Sequence, residues 1–306
     1  MTMIVGYAPD GGGSAVLHLA AMLARSANDD VVVCSVVPAP WVPGMARIDA
    51  EYQQFLDQLA DAALGEARRR MPDDVQTTYL RHRARSAPTG LLEVAAEHDA
   101  HLVVLGSSCA GPFGHVALGS VTDRLLHSSP VMTALAPRGF RSRPAPRITR
   151  VTAACGGSEA AERLVVAAAG LAVRLDAALR VASFAVWQRP DYTSRLGTDP
   201  EDLVLREWTA RVEEAANAAL KQVSELPAVP RHVGTVVGRG DDWEQAIEDV
   251  EWDDGDLLAV GSSAAGPAAA VFLGSRAAKI VRHSPVPVVV VPRGMAEELA
   301  ERAAHP

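Results

Sequence analysis

The chain has 306 residues, about twice the size of a typical domain, so its length predicts two domains. Although 48% of the residues are hydrophobic, no apolar run approaches the roughly eighteen residues of a membrane span, and the N-terminus lacks a basic region followed by an apolar stretch; both features predict a soluble, cytoplasmic protein. The net charge of -8 argues against nucleic-acid binding, and three cysteines without metal-type spacing argue against a disulfide framework or a zinc site.

Short apolar runs alternate with longer amphipathic stretches along the whole chain. In the first half this pattern predicts strands at 3–7, 31–37, 75–81, 101–106 and 131–136, and helices at 14–26, 49–71, 88–98 and from about 119. The second half repeats the order, with predicted strands at 150–154, 178–186, 231–237, 256–261 and 286–292, and helices at 157–175, 200–225, 241–252 and from 274.

Near-continuous apolar strands separated by helices are typical of a parallel sheet that is covered on both faces. Each half is therefore predicted to be an α/β domain with a five-stranded parallel sheet and four helices. Ligands of such sheets bind beyond the carboxyl ends of the strands, where the chain order reverses. The fourth predicted strand ends at Gly106 in the first half and at Gly261 in the second, so the residues that follow are candidates for a ligand site.

Two glycine- and serine-rich turns follow one plan. Residues 106–120 read GSSCAGPFGHVALGS and residues 261–275 read GSSAAGPAAAVFLGS, so GSS, GP and LGS recur with an offset of 155 residues. A repeat unit of about 150 residues has the size of a domain with its own core, which indicates a duplicated domain. The predicted boundaries are 1–140 for the first domain, 141–150 for an arginine- and proline-rich linker, 151–296 for the second domain and 297–306 for a C-terminal tail.

Each turn places a glycine just before a helix start, where backbone N–H groups and the positive end of the helix dipole attract an anion. Ser120 and Ser275 stand at these helix starts, and an ordinary N-cap role for them stays open. A Walker A loop is excluded because it needs a lysine before Ser or Thr, and the first half contains no lysine. The dinucleotide fingerprint is excluded because it follows the first strand and not the fourth.

Over both halves the sequence resembles a tandem universal stress protein. ATP-binding members of that family carry Gly, two residues, Gly, nine residues, and then Gly followed by Ser or Thr. The matching residues are Gly106, Gly119 and Ser120 in the first half and Gly261, Gly274 and Ser275 in the second. The resemblance implies a Rossmann-like fold of the adenine nucleotide alpha hydrolase-like type and a stress-response protein that binds ATP, with or without magnesium.

One glycine of the family pattern is missing from both halves. Cys109 replaces it in the first half and Ala264 in the second. That glycine normally permits a close approach of the backbone to phosphate, or a positive φ angle. Gly111 and Gly266, two residues later, are expected to supply this freedom instead. The replacement weakens the expectation of nucleotide binding without removing it.

The family also places an aspartate after the first strand, where it holds the adenosine end of the ligand. Asp10 is the candidate in the first half, whereas Gly156 stands at this position in the second. The resemblance further implies contact between adenine and a residue of the second strand, which is Val36, with Phe184 as its approximate counterpart. A plain core role for Val36 stays open. The second domain is therefore expected to bind nucleotide more weakly or to be empty.

These observations favour a regulatory protein that binds an adenine nucleotide and is not an enzyme. The predicted ligand residues are Asp10, Val36, Gly106, Ser108, Gly111, Gly119, Ser120, Val121, Gly261, Ser263, Gly266, Gly274 and Ser275. One alternative is a protein-interaction or scaffolding module of the same fold, with an unknown protein partner, which Cys109, Ala264 and Gly156 favour. A slow ATPase is the other alternative. Against it, the sequence offers no evident lysine and no paired carboxylates for magnesium and water.

The remaining patterns predict no further chemistry. The histidines belong to separate elements, and neither HExxH nor CxxC spacing occurs, so no metal site is predicted. The GSSCAG turn does not supply the nucleophile elbow of a serine hydrolase, because its serines stand in a different frame.

The last predicted strand of each half is apolar and would leave a sheet edge exposed. In the family that the sequence resembles, the final strand of one domain commonly pairs with that of another. Covalent linkage concentrates such pairing within one chain. We therefore expect an internal pseudo-dimer of the two domains, in which 131–136 runs antiparallel to 286–291.

Overall fold

The computed structural model describes residues 1–8, 13–39, 46–143, 146–156, 158–187, 199–262 and 273–293, together with positions 295 and 299. The described residues up to Arg147 form one compact unit, and those from Ile148 onwards form a second. The second unit begins inside the predicted linker, since Ile148 is a buried core residue and Arg150 opens a strand.

The first unit alternates strands with helices as predicted. Its elements are β1 (Thr2–Gly6), α1 (Ser14–Ala27), β2 (Asp30–Pro38), α2 (Ala46–Arg70), β3 (Thr77–Ala84), α3 (Ala87–Glu97), β4 (Ala100–Gly106), α4 (Ser120–Ser128) and β5 (Met132–Ala136). The strands follow the order β3-β2-β1-β4-β5, and all four pairings are parallel. The chain order therefore reverses between β1 and β4, where a ligand site is expected.

The second unit repeats this arrangement. Its elements are β6 (Arg150–Ala154), α5 (Glu159–Arg174), β7 (Ala178–Val186), α6 (Asp199–Ser224), β8 (Val233–Gly240), α7 (Trp243–Glu248), β9 (Asp256–Gly261), α8 (Ser275–His283) and β10 (Val288–Val291). The strand order is β10-β9-β6-β7-β8, again with parallel pairings. The predicted fold class is confirmed: both units are α/β with a parallel sheet.

Helices start in two different ways, and the difference positions the site. The helices α3, α5 and α7 begin after Ser86, Ser158 and Asp242, and each of these side chains accepts a bond from a first-turn N–H group. The helices α4 and α8 begin instead after Gly119 and Gly274, which have no side chain to serve as a cap. Their first-turn N–H groups are therefore left for another partner.

Two elements of the second unit have bounds that differ from the predicted ones, each for its own physical reason. The strand β8 extends to Gly240, beyond the predicted end at 237. A Cβ at Gly238 would stand 2.0 Å from the Ala246 carbonyl oxygen, so only glycine lets α7 pack on this strand. The helix α7 is shorter than predicted because Asp242 caps its start and the Trp252 indole donates to the Ile247 carbonyl near its end, at 2.8 Å.

No helix of the described residues combines the length and the apolar character that a membrane span requires.

Candidate ligand site at the strand ends

A cavity of about 500 Å³ lies at the carboxyl ends of β1, β2 and β4 in the first unit. Six predicted ligand residues line it: Val36, Gly106, Ser108, Gly119, Ser120 and Val121. Of the other two predicted in this half, Asp10 lies outside the described residues, and Gly111 is not among the described lining residues. Segments far apart in the sequence therefore meet at one place, because parallel strands end at the same edge of the sheet.

The start of α4 gives the cavity its hydrogen-bond donors. Gly119 has extended backbone angles (φ -90°, ψ 173°), and its carbonyl accepts the first bond of the helix from the Asp123 N–H at 2.8 Å. The N–H groups of Ser120, Val121 and Thr122 precede that bond, and all three residues line the cavity. These donors and the helix dipole create a site suited to an anion such as phosphate.

The loop between β4 and α4 is folded upon itself. The Ser108 N–H donates to the Ala117 carbonyl at 2.9 Å, and the Ala117 N–H donates to the Ser107 hydroxyl. Arg138, which follows β5, holds the far side: its N–H donates to the His115 carbonyl at 2.9 Å, and its guanidinium lies 4.5 Å from the centre of the Phe113 ring. These contacts fix the path that carries Ser108 to the cavity.

The sequence led us to expect that Gly111 supplies the backbone freedom of the missing glycine, but its position in the structure does not match that role. A Cβ at Gly111 would stand 2.1 Å from the Ala117 Cβ, so this glycine is needed for packing within the loop. It is not among the described residues that line the cavity. The positive φ angle of this loop occurs at Gly114 instead, at 82°. Cys109, at the position of the missing family glycine, is exposed and lines the cavity.

Val36 serves the core and the cavity together. It is half-buried at the end of β2 and lines the cavity. A Cβ at Gly90 would stand 2.7 Å from one Val36 methyl group, so α3 packs directly on this valine. The two roles that the sequence left open are thus compatible.

The structure adds residues to the cavity that the sequence pattern missed. Tyr7, the residue after β1, lines it, and a Cβ at Gly13 would stand 2.2 Å from the Tyr7 ring. Cys34 and Ser35 contribute from β2. Burial, with a smaller contribution from Glu97, raises the pKa of the Cys34 thiol to about 12, so the thiol stays protonated at neutral pH. The sequence could have indicated Tyr7 and Gly13 as lining residues, because they stand after the first strand and before the first helix.

The second unit holds a cavity of about 520 Å³ at the corresponding strand ends. Gly261, Gly274 and Ser275 line it as predicted from the repeat. Ser263 and Gly266, also predicted to bind the ligand, lie outside the described residues.

The chemical character of the second cavity differs from that of the first. Phe184 takes the place of Val36 near the end of the second strand, and Trp243 stands at the start of α7 where Ala87 starts α3. Arg276, in the first turn of α8, adds a guanidinium. Gly156 lines this cavity with open space around it, since nothing lies within 4 Å of a Cβ placed there.

The described lining of the first cavity is uncharged in its side chains. Its described lining supplies backbone N–H groups and serine hydroxyls, with no lysine, arginine or carboxylate among them. Over the described ranges of the chain, no group of three or more His, Cys, Asp or Glu side chains is placed to hold a metal ion.

Comparison with known proteins identifies the family. The model of the universal stress protein family matches residues 1–137 and again 147–292. A universal stress protein of Mycobacterium tuberculosis is 38% identical over 296 residues, which cover 95% of this chain and 100% of that protein, and one of Mycobacterium bovis matches equally.

The fold is also found in a solved structure. The crystal structure of a universal stress protein from Archaeoglobus fulgidus matches with a TM-score of 0.60 over 96% of this chain and 98% of that chain, at 17% identity, and this likeness concerns the fold alone. The two family matches and the mycobacterial relatives show that the chain belongs to the universal stress protein family and carries two tandem domains of that family.

Proposed function

We propose that the protein binds an adenine nucleotide, ATP with or without magnesium, in the cavity of its first unit, and that it acts in a stress response by binding and not by catalysis. The observation that carries the proposal is the start of α4, where the first-turn N–H groups after Gly119 line a cavity without a capping side chain. Phosphate satisfies such donors and the helix dipole together.

The dimensions and the polarity of the cavity fit this ligand. A volume of about 500 Å³ lies within the range of small-molecule sites. The phosphates would bind at Ser108 and at the first turn of α4, and the adenosine would lie toward Val36. Asp10 would hold the adenosine end, as the family resemblance implies. The nucleotide's own phosphates would supply most of the oxygen ligands of a bound magnesium ion.

The groups among the described lining of the cavity support binding without turnover. The Cys34 thiol is protonated at neutral pH and is therefore a poor nucleophile. Phosphoryl transfer relies on cationic side chains and a positioned base, and the described lining supplies neither. We expect no phosphate release above the rate of ATP hydrolysis in buffer.

Isothermal titration calorimetry with Mg-ATP tests the proposal in a matched pair of variants, Gly119→Val and Gly274→Val. Both glycines have backbone angles that valine also adopts, so neither change strains the chain. In Gly119→Val the side chain would stand beside Ser108 and the α4 donors, and we expect affinity to fall roughly tenfold or more. Gly274→Val should leave that binding unchanged.

Other outcomes of the titration separate the alternatives. Equal losses in both variants would show that the units bind alike, with Arg276 replacing what the second unit lacks. No binding at millimolar ATP would contradict the proposal and favour a scaffolding module. Release of phosphate that Gly119→Val abolishes would indicate an ATPase.

A further inference from the structure

A second cavity of the first unit lies away from the strand ends. It has a volume of about 770 Å³, and its floor is one face of α1, where Ser14, Leu17, His18, Ala21 and Arg25 recur every three or four residues. The end of α2 and the segment 141–143 complete it. We call it the arginine cleft, after Arg25, Arg70, Arg141 and Arg143.

The charge of the arginine cleft is of one sign. Four guanidinium groups and one imidazole line it, and no carboxylate is among its described lining residues. Asp74 holds Arg25 through two bonds of 2.7 and 2.8 Å, and Glu66 pairs with Arg70 at 2.6 Å. These two acids lie outside the described lining and offset part of the charge of Arg25 and Arg70, whereas the described lining itself holds four guanidinium groups and no carboxylate. This concentration contrasts with a chain whose net charge is -8.

The charge of the arginine cleft acts on His18. Its Nδ1 lies 3.2 Å from the Ser142 hydroxyl, which joins α1 to the segment 141–143. Burial lowers the pKa of His18, and Arg141 and Arg70 lower it further. Like charges that face one cavity repel each other, and an anion bound among them would relieve the repulsion.

We propose that the arginine cleft is a second ligand site, separate from the nucleotide cavity, for a compact anion of the oligophosphate class. Guanidinium groups bind phosphate through paired N–H donors, which gives this ligand both affinity and orientation. No Phe, Tyr or Trp side chain is among the described lining residues, so the assignment concerns the phosphate groups and not a base. The overall negative charge of the chain disfavours an extended polyanion such as a nucleic acid.

A bound anion stabilises the protonated form of His18 and raises its pKa. By linkage, the anion binds more tightly when the imidazole is protonated. Affinity should therefore increase as the pH falls through the titration range of His18. The change His18→Gln keeps a hydrogen-bonding side chain near Ser142 and should remove this pH dependence.

The test titrates the full chain with pyrophosphate and records both the heat of binding and the ring signals of His18 by NMR. The test variant is Arg141→Ala, since Arg141 is exposed and its loss should leave the core intact. Arg211→Ala is the control, because it removes an equal charge from an exposed site in the second unit. We expect Arg141→Ala to weaken pyrophosphate binding roughly tenfold and Arg211→Ala to leave it unchanged.

The variant Gly119→Val separates this site from the nucleotide cavity: it should lose any pyrophosphate bound at the start of α4, yet pyrophosphate should still shift the His18 signals as in the native chain. Three results would overturn the proposal: no shift of the His18 signals at millimolar pyrophosphate, equal midpoints of that shift in Arg141→Ala and Arg211→Ala, or loss of the shift in Gly119→Val. Sulfate binding as tight as that of pyrophosphate would overturn the assignment to oligophosphate. Unaltered circular dichroism spectra confirm that the variants are folded.

Discussion

Cys109 stands at the position of the glycine in the family pattern, and it lines the first cavity with its side chain exposed. We predict that Cys109→Gly raises the affinity for ATP, because glycine removes the side chain beside the phosphates and lets the backbone approach them. The variant Cys109→Ala removes most of the side chain and keeps the backbone restriction, so comparison of the two by calorimetry tells which effect operates. An unchanged or weaker complex in Cys109→Gly would show that the loop follows a different, self-consistent path.

Asp256 is the buried carboxylate of an ion-pair cluster in the second unit. Its side chain is fully buried and accepts bonds of 2.7 and 2.6 Å from Arg150, while Arg180 lies 3.5 Å away with its guanidinium over the Trp252 ring. We predict that Asp256→Ala lowers the free energy of unfolding by about 3 to 5 kcal/mol, because Arg180, whose side chain is only 11% exposed, then loses its carboxylate partner.

Asp253 provides the control for this prediction. It also pairs with Arg150, at 3.0 Å, but its side chain is 75% exposed, so Asp253→Ala should cost about 1 kcal/mol or less. Urea denaturation of the two variants measures both values. Equal losses of unfolding free energy in the two variants would mean that the burial of Asp256 does not increase its contribution to stability.

At the scale of elements, the loop of residues 107–119 brings Ser108 and Cys109 to the cavity, and Arg138 holds it. We predict that Arg138→Ala weakens ATP binding several-fold with little change in global stability, since the free loop must be ordered when the ligand binds. Hydrogen–deuterium exchange should become faster in 107–119 and stay unchanged in β1. Arg138→Lys keeps the charge and loses the planar stacking on Phe113, so it should be intermediate. If exchange in 107–119 stays slow in Arg138→Ala, the loop is ordered without Arg138.

An element could be predicted from the sequence where its packing produces a regular pattern of apolar residues. Apolar runs placed the strands inside each sheet, because parallel sheets bury both faces, and amphipathic stretches placed the helices. The edge strands β3 and β8 are only partly buried and have weaker apolar patterns. The bounds of β8 escaped prediction because Gly238 serves a tertiary contact with α7, which a local pattern does not contain. The cavity followed from strand ends and helix starts, whereas Tyr7 and Cys34 were missed because they look like ordinary strand residues. The arginine cleft was missed since α1, α2 and the segment 141–143 meet only in three dimensions.

At the scale of the whole molecule, duplication gives one chain two copies of one fold whose ligand cavities have diverged. Phe184, Trp243 and Arg276 replace Val36, Ala87 and Val121 at equivalent places. These three differences change the size and the charge of the cavity lining, so we expect the two sites to differ in affinity.

The two final strands carry the last prediction. Within its own unit β5 pairs with β4 and β10 pairs with β9, and each ends the strand order of that unit. An apolar edge of this kind favours pairing with another strand, and covalent linkage favours a partner in the same chain. We predict that β5 and β10 pair antiparallel within one chain, so the protein should be a monomer of 32.2 kDa in light scattering.

A reciprocal exchange experiment tests this pairing directly. Proline lacks the N–H that a strand ladder needs, so Ala134→Pro should speed hydrogen–deuterium exchange in Val288–Val291 of the other unit, and Val289→Pro should do the same in Met132–Ala136. Val233→Pro is the control, because it changes the first residue of β8, at the opposite end of the second unit's strand order, and should leave β5 unaffected. If each proline alters only its own unit, the two edges are not partners, and a dimer in light scattering would place the pairing between chains.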